Sequence, residues 1–169
     1  VLEMYNHYKS KGDPKPMSAI KVDWACLCLG EMSSYQIFEL LRTRQNIFII
    51  EQSCIYSDID KHDLSCWHLL GYGPNSELHA YCRLLKPRSI YNEAAIGRVL
   101  VKSEYRGRGI AKELMLEAHR RCELIFKSKT VRLNAQVYLK EFYEDIGYRC
   151  VSAPYCEDGI MHIEMLRVD

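Results

Sequence analysis

The chain has 169 residues, of which 48% are hydrophobic and 27% are charged, and its formal net charge is +1 at pH 7. This composition indicates one globular domain, large enough to bury a core. A net charge near zero, without a second basic cluster among aromatic residues, argues against nucleic acid as a partner. No run approaches the roughly 18 consecutive apolar residues of a membrane span, and no signal peptide is recognisable, so we expect a cytoplasmic protein without a membrane partner.

The chain contains eight cysteines. Their spacing includes neither a CxxC pair nor a Cys/His metal motif, so we expect reduced, mostly buried thiols and no metal site. No histidine is placed by sequence to activate a cysteine, and we therefore expect no catalytic cysteine.

Residues 1–20 are polar and irregular and include the run Gly12-Asp13-Pro14-Lys15-Pro16. We interpret them as a flexible N-terminal extension that contributes little to a core. One interpretation is that part of this extension is foreign to the native protein and that Met17 is the native start. Residues 21–169 are then expected to form a single domain.

The first half of this domain begins with a strand at 21–29. A helix follows, which Ser33 or Ser34 can cap and whose apolar positions recur at helical spacing at Ile37, Phe38, Leu41 and Phe48. Residues 53–63 predict a polar, acidic loop. Residues 66–72 and 78–85 then predict two strands of a hairpin, joined by a Gly-Pro-Asn-Ser turn.

The second half predicts strands at 95–101, 130–136, 148–152 and 159–167, the last two around a loop that contains Pro154. A helix at 110–125 follows the first of these strands. A second helix carries Leu139, Phe142, Tyr143 and Ile146 and ends at Gly147 in the left-handed conformation. The whole order, β-α-β-β-β-α-β-α-β-β, is an α/β (α+β) arrangement with helices on the faces of a mixed sheet.

The run Arg106-Gly107-Arg108-Gly109-Ile110-Ala111 joins the strand at 95–101 to the helix at 110–125. Such a junction presents backbone N–H groups without intrahelical partners, and the helix dipole adds partial positive charge. Gly107 and Gly109 permit a positive φ, and Arg106, Arg108 and Lys112 add mobile positive charge. The junction therefore predicts a loop that binds a phosphate.

Two familiar phosphate loops are excluded by spacing. A Walker A loop needs Lys and then Ser or Thr where Ile110 and Ala111 follow Gly109. A dinucleotide-binding loop needs a third glycine where Lys112 stands. The pattern R-x-x-G-x-A, from Arg106 to Ala111, instead resembles the pyrophosphate loop of the GNAT acyl-CoA transferases.

Further segments, spread over about residues 22–165, resemble the ElaA-like branch of the GNAT family. They are Arg44 to Gln52, Asp58-Ile59-Asp60, Ile96-Gly97-Arg98-Val99, Leu133-Asn134-Ala135-Gln136, Phe142-Tyr143, Glu157-Asp158-Gly159-Ile160 and His162-Ile163-Glu164-Met165. The chain departs from the branch at Ile55 and Met161, where proline is usual, and at Tyr148, where phenylalanine is usual. The resemblance implies a GNAT fold with a mixed central sheet of about six to seven strands flanked by helices.

The resemblance also implies an activity: transfer of an acetyl group from acetyl-CoA to a primary amine, by direct attack in a ternary complex. The acceptor would be a small-molecule or peptide amine, and the protein a monomer or a homodimer. By family position, Tyr143 is the expected general acid that protonates the departing CoA thiolate. The residues expected to bind acetyl-CoA are Val99, Leu100, Val101, Arg106, Gly107, Arg108, Gly109, Ile110, Ala111 and Lys112.

An ammonium acceptor also needs a base. Many GNAT members carry a carboxylate on the strand before the loop, but that strand here has none. Glu51 is the expected base, with His68, His162 and Glu164 as alternatives that equally suit structural roles. The acidic residues Asp58, Asp60 and Asp63 either attract a cationic substrate or form a solvated loop.

Two other functions remain open. A GNAT-shaped protein that binds CoA without efficient turnover would share the fold and the loop. A phosphate- or nucleotide-binding regulatory module would share the loop alone.

Overall fold

The computed structural model describes residues 21–168, so the predicted extension at 1–20 lies outside the described residues. The strands are β1 (Asp23–Cys28), β2 (Trp67–Tyr72), β3 (Leu78–Leu85), β4 (Ala94–Val101), β5 (Thr130–Gln136), β6 (Arg149–Cys150), β7 (Tyr155–Glu157) and β8 (Ile160–Val168). The α-helices are α1 (Ser34–Arg44), which continues as a π-helix (Gln45–Glu51), α2 (Ile110–Phe126) and α3 (Lys140–Glu144). Within residues 21–168, no helix is long and apolar enough to cross a membrane.

The eight strands form one mixed sheet in the order β1-β2-β3-β4-β5-β8-β6, with β7 paired to β8. Among the described strands, β4 and β5 are the one parallel pair. The mixed sheet flanked by helices is confirmed, with one strand more than the predicted six to seven. The additional strand, β7, lies in the predicted Pro154 loop and joins β8 through Asp158 and Gly159, at φ of 49° and 80°. Positive φ at both positions is what a tight hairpin turn requires.

The two faces of the sheet differ. Helices α2 and α3 cover one face, where Leu114, Met115 and Ala118 of α2 are fully buried in the main core. Helix α1 and the π-helix cover the other face over β2 to β4, where Leu40, Phe48 and Tyr81 pack together. Next to them, on β5 and β8, this second face carries the polar side chains of Arg132, Asn134, Gln136, His162 and Glu164.

Helix α1 begins as predicted, because Gln36 N–H donates to Ser33 Oγ (3.2 Å) and Ser33 N–H donates to Gln36 Oε1 (2.9 Å). Its buried face was predicted wrongly at one position. Phe38 is 58% exposed, and Leu40 is buried instead. The π-helix holds more residues per turn than an α-helix, so a single 3.6-residue period does not describe residues 37 to 48.

The interior also contains a charged residue, Arg44, whose side chain is 0% exposed at the end of α1. Its Nε donates to Asp58 Oδ2 (2.9 Å) and its Nη2 to the Asp58 carbonyl (2.7 Å). Its Nη1 and Nη2 donate to Asp63 Oδ1 (2.7 Å) and Oδ2 (3.1 Å). Two carboxylates thus surround one buried guanidinium, which meets the requirement that a buried charge be paired.

Two more arginines complete this buried ion-pair network. Arg83 on β3 donates to both oxygens of Asp60 (2.9 and 2.8 Å) and to Asp63 Oδ1 (3.2 Å). Arg98 on β4 donates to Asp58 Oδ1 (2.7 Å) and to the Asp58 carbonyl (3.0 Å). The expectation of a solvated or substrate-attracting acidic loop was wrong, because each aspartate is held by arginines and Asp58 and Asp63 are each 6% exposed. The network fixes this loop against α1, β3 and β4.

Asp63→Asn should lower the free energy of unfolding by about 3 kcal/mol, because Arg44 would keep a buried positive charge without its full counter-charge. Chemical denaturation at pH 7 measures this loss. Asp145→Asn, at an exposed carboxylate after α3, is the control and should change stability by less than about 0.5 kcal/mol.

The difference in the free energy of unfolding between the wild-type protein and Asp63→Asn should become smaller in acid. Burial raises the pKa of Asp63, but hydrogen bonds from Arg44 outweigh burial, so its pKa lies below the usual 3.8. The stabilisation is therefore complete above about pH 5 and is lost as the pH falls through the folded-state pKa. A stability difference that persists unchanged to about pH 2 would contradict this assignment.

Candidate active site

Strands β4 and β5 separate along their length. They pair at two positions, Ala94 with Val131 and Ala95 with Arg132. Beyond these positions β4 continues to Val101 and β5 to Gln136 without further pairing between them, while their outer edges stay paired to β3 and β8. The sheet therefore has a wedge-shaped gap at its centre, which we call the β4–β5 gap.

Three of the residues expected to bind acetyl-CoA, Val99, Leu100 and Val101, lie along this gap. Leu100 packs with the α1 side of the sheet and Val101 with the α2 side, at 4% and 9% exposure. Val99 is partly buried against the α2 core. Since these side chains face the two cores, the backbone edge of β4 is what the strand presents to the gap.

A β-bulge shapes this edge. Tyr81 pairs with Leu100 and Arg83 pairs with Gly97, so Cys82 opposes two residues, Arg98 and Val99. Arg98 has a φ of 52°, which is uncommon for a residue with a side chain. The ion pair of Arg98 with Asp58 holds it there, so the buried network also fixes the bulge.

The loop after β4 has the predicted geometry. Gly107 and Gly109 have φ of 73° and 81°. Gly109 caps the 17-residue helix α2 and supplies no side-chain hydrogen bond, so the first N–H groups of the helix have no side-chain cap. Arg108 and Lys112 are exposed and form no ion pair within residues 21–168. Such a loop suits an anionic ligand.

Arg106 differs from Arg108, since it is not the mobile charge that we expected. Its Nε donates to the Val101 carbonyl (2.8 Å), and its Nη1 and Nη2 donate to Glu51 Oε1 (2.7 Å) and Oε2 (3.1 Å). Gln52 follows directly after the π-helix. Its Oε1 accepts a hydrogen bond from Gln136 Nε2 (3.2 Å) at the end of β5. Glu51 and Gln52 thus connect the ends of β4 and β5 across the gap.

A stacked pair of rings supports the loop from the other side, and no sequence pattern predicted it. The rings of His79 and Tyr105 stack with centroids 3.5 Å apart. The Tyr105 hydroxyl donates to Glu77 Oε2 (2.6 Å), and Lys102 Nζ donates to Glu77 Oε1 (3.2 Å). These contacts hold the turn that leads from β4 into the glycine loop at residues 106–111.

Tyr143 lies on α3 and is 5% exposed. Its ring contacts those of Phe142 and Tyr148, with centroids 5.1 and 5.7 Å away. No residue of the described chain forms a hydrogen bond with its hydroxyl group. Burial raises the pKa of this phenol well above 10, so it stays protonated at neutral pH.

The four candidate bases all have partners within the protein. Both oxygens of Glu51 accept from Arg106, and Glu164 pairs with Arg132 (2.8 Å). His162 Nδ1 lies 2.9 Å from the Ile160 carbonyl and therefore donates to it. His68 is 1% exposed, and its Nε2 donates to the Asp63 carbonyl (3.0 Å), so its Nδ1 accepts from the Tyr81 hydroxyl (2.8 Å). Burial lowers the pKa of His68, and this neutral, fully engaged imidazole has a structural role.

Cysteine and metal chemistry receive no support from the described residues. All eight cysteines are free. Cys66 Sγ lies 3.5 Å from His68 Nε2, but burial raises the pKa of the thiol to about 12, so it is not a thiolate nucleophile. Within residues 21–168, no three His, Cys, Asp or Glu side chains are grouped to hold a metal ion.

This geometry agrees with the comparisons to known proteins. Residues 68–168 match the family described as acetyltransferase (GNAT) domain. Protein ElaA of Escherichia coli is 39% identical over 148 residues, which cover 86% of this chain and 96% of ElaA. A UPF0039 protein of Synechocystis is 33% identical over 147 residues, covering 87% of this chain and 96% of that protein.

Two crystal structures are similar as well. E. coli ElaA superimposes with a TM-score of 0.80 at 38% identity, over 87% of this chain and 99% of that chain. An acyl-CoA N-acyltransferase of Pseudomonas aeruginosa gives a TM-score of 0.80 at 34% identity, over 88% and 100% of the two chains. The split between β4 and β5, the glycine loop before α2 and these likenesses agree: this chain belongs to the GNAT acetyltransferase family, in its ElaA-like branch.

Proposed function

We propose that this protein is an N-acetyltransferase that moves the acetyl group of acetyl-CoA to a primary amine within a ternary complex. The observation that carries the proposal is the continuity of the glycine loop with the β4–β5 gap. The backbone N–H groups from Gly107 to Lys112 suit the pyrophosphate, and the β4 edge from Val99 to Val101 suits the pantetheine arm. Acetyl-CoA supplies the activated thioester.

The amine nitrogen attacks the thioester carbonyl carbon, the C–S bond breaks, and CoA leaves as a thiolate. A backbone N–H of the free β4 edge would stabilise the negative charge that develops on the carbonyl oxygen. Tyr143 donates a proton to the departing sulfur. One observation supports this role: its hydroxyl has no hydrogen-bond partner among the described residues and so can donate to the sulfur.

An ammonium acceptor must lose one proton to a base before attack. After attack the amine nitrogen loses a second proton, which restores the hydroxyl of Tyr143 after this residue has protonated the sulfur. Glu51, at the mouth of the gap, remains the proposed base. Both of its oxygens accept from Arg106, but each carboxylate oxygen has two lone pairs. We therefore propose that Glu51 acts through water while Arg106 holds it in place.

The proposed acceptor is a small-molecule or peptide amine, not nucleic acid. We propose a cytoplasmic enzyme that needs no metal and works as a monomer or a homodimer. Two rival functions predict different results. A CoA-binding protein without efficient turnover would bind acetyl-CoA but release no thiol, and a nucleotide-binding module would bind nucleotides in place of acetyl-CoA.

Acetyl-CoA should stabilise the protein by about 2.7 kcal/mol at a concentration of about 100 Kd. Gly109→Ala should weaken this binding about fivefold, because a Cβ lets the free loop relax to a negative φ, and binding must then restore the φ of 81° at a cost of about 1 kcal/mol. Thermal shift titrations measure both effects. Gly30→Ala, with no heavy atom within 4 Å of the added Cβ, should bind normally. Stabilisation by ATP or NAD and not by acetyl-CoA would show that the proposal is wrong and would support the nucleotide-binding module.

Tyr143→Phe should slow amine-dependent release of the CoA thiol by about 100-fold and leave the affinity for acetyl-CoA unchanged, since it removes only the proton donor. Tyr138→Phe is the matched comparison, because the Tyr138 hydroxyl donates to Gln136 Oε1, and it should cost less than tenfold. If Tyr138→Phe instead loses about 100-fold and Tyr143→Phe less than tenfold, Tyr138 is the general acid and Tyr143 is not. Normal acetyl-CoA binding without thiol release for any amine would support the CoA-binding protein without turnover.

The pH dependence of kcat/KM should reflect the ionisation of the acceptor amine and not that of Tyr143. Because burial keeps the pKa of Tyr143 above 10, it stays protonated below that pH. For a lysine-like amine of pKa about 10.4, kcat/KM should rise roughly tenfold per pH unit up to about pH 9.5, and for an α-amino group of pKa about 8 the rise should end near pH 8. Tyr143→Phe should show the same slope at a lower rate. A descending limb near pH 8 to 9 that disappears in Tyr143→Phe would contradict this prediction.

A further inference from the structure

One row of residues crosses the sheet on the face that α1 partly covers, at the point where β4 and β5 separate. Arg83 pairs with Gly97, and Asn134 pairs with Glu164. Gly97 and Asn134 each lie two residues beyond the last paired position, Ala95 with Arg132. Since every second residue of a strand points to the same face, Gly97 has Arg83 on one side and Asn134 on the other.

The two side chains that flank Gly97 share an unusual property. Within residues 21–168, three buried side-chain nitrogen or oxygen atoms have no hydrogen-bond partner: His79 Nδ1, Arg83 Nε and Asn134 Oδ1. Buried polar atoms normally have a partner, and leaving one without costs about 1–3 kcal/mol. Two of the three atoms therefore occur on the two sides of one glycine, as a donor and an acceptor.

Arg83 presents its donor directly over the glycine. Its side chain is 5% exposed, and its Nη atoms are held by Asp60 and Asp63. Its Nε lies 3.5 Å from the point where a Cβ of Gly97 would stand. The guanidinium is thus fixed by the buried network, and its Nε, which has no partner within residues 21–168, lies beside a residue that has no side chain.

Asn134 presents the acceptor. Its Nδ2 donates to Glu157 Oε2 (2.6 Å) on β7. A carboxylate only accepts hydrogen bonds, so the nitrogen of the amide must face Glu157 and the oxygen must point in a different direction. Glu157 thereby fixes the orientation of the amide and leaves Oδ1 available.

We propose that Gly97, Arg83 and Asn134 form the acceptor subsite and that it recognises an amino group next to a neutral carbonyl, as in an amino-acid amide or a peptide N-terminus. The amino group donates to Asn134 Oδ1, and the carbonyl oxygen accepts from Arg83 Nε. The role of this ligand as acceptor rests on the proposed N-acetyltransferase function. Binding of the ligand at this subsite can be measured independently of turnover.

Charge supports this ligand class. A carboxylate is disfavoured because Asp60 and Asp63 already balance the charge of Arg83, and Glu157 and Glu164 lie on the Asn134 side. A neutral carbonyl has no such repulsion.

Titration of 15N-labelled protein with glycinamide tests the subsite, and propylamine, which lacks the carbonyl, is the matched compound. We expect glycinamide to shift the Asn134 side-chain amide and Gly97 backbone resonances, with an affinity at least fivefold above that of propylamine. Gly97→Ala should weaken glycinamide binding at least tenfold and leave the acetyl-CoA thermal shift unchanged. The added Cβ meets Arg83 at 3.5 and 3.8 Å, which are ordinary contacts, so this variant should fold.

Two controls separate the subsite from general effects. Gly30→Ala should bind glycinamide as the wild type does. Glu157→Gln keeps an oxygen that can accept from Asn134 Nδ2 and should also retain binding, whereas Asn134→Ala should lose it. Triglycine amide binding more tightly than glycinamide would support the proposal and identify a peptide N-terminus as the source of the recognised group.

Equal binding of propylamine and glycinamide, unchanged binding by Gly97→Ala, or no binding of either compound would each overturn the subsite. These results would leave water as the partner of the two atoms. Thiol release with simple amines would then still support the proposed function. Conversely, selective glycinamide binding without thiol release for any amine would retain the subsite and overturn the acetyltransferase function.

Discussion

The buried ion pairs of Arg44 with Asp58 and Asp63 are the constraint on which the rest of the site depends. Arg44 is fully buried, and removing one partner from a buried ion pair costs several kcal/mol. The loop between the π-helix and β2 therefore cannot leave the sheet without a large penalty. Because Asp58 also binds Arg98, the position of this loop and the positive φ of the β4 bulge are determined together.

The β4–β5 gap is preorganised for a related reason. Each of its two strands keeps an antiparallel partner on the outer edge, β3 for β4 and β8 for β5. The connections from Glu51 to Arg106 and from Gln52 to Gln136 join the ends of both strands to one helix end. A ligand entering the gap does not have to separate paired strands, so little of its binding energy is used to reorganise the sheet.

The sequence predicted the features that depend on neighbouring residues. Gly107 and Gly109 at positive φ, the Ser33 cap and the left-handed Gly147 are all present. The orientation of Phe38 and the strand β7 were missed, since a π-helix and a short paired segment leave weak local patterns. The environment of Asp63 was also missed, because its partners Arg44 and Arg83 lie 19 and 20 residues away. An arginine inside the wholly buried strand β3 was the available signal, since such a charge requires a buried counter-charge.

This difference explains why the sequence points more directly to the proposed CoA donor than to the acceptor. Backbone N–H groups at Gly109 and at the start of α2 suit an anionic ligand, and the glycine spacing indicates such groups directly. On the acceptor side, the described side chains are mostly charged groups that bind one another, such as Arg132 with Glu93 and Glu164. Charges neutralised in this way attract an ammonium group only weakly. On the proposed function, selectivity must then come from hydrogen-bond geometry, and the atoms still available for it are those beside Gly97.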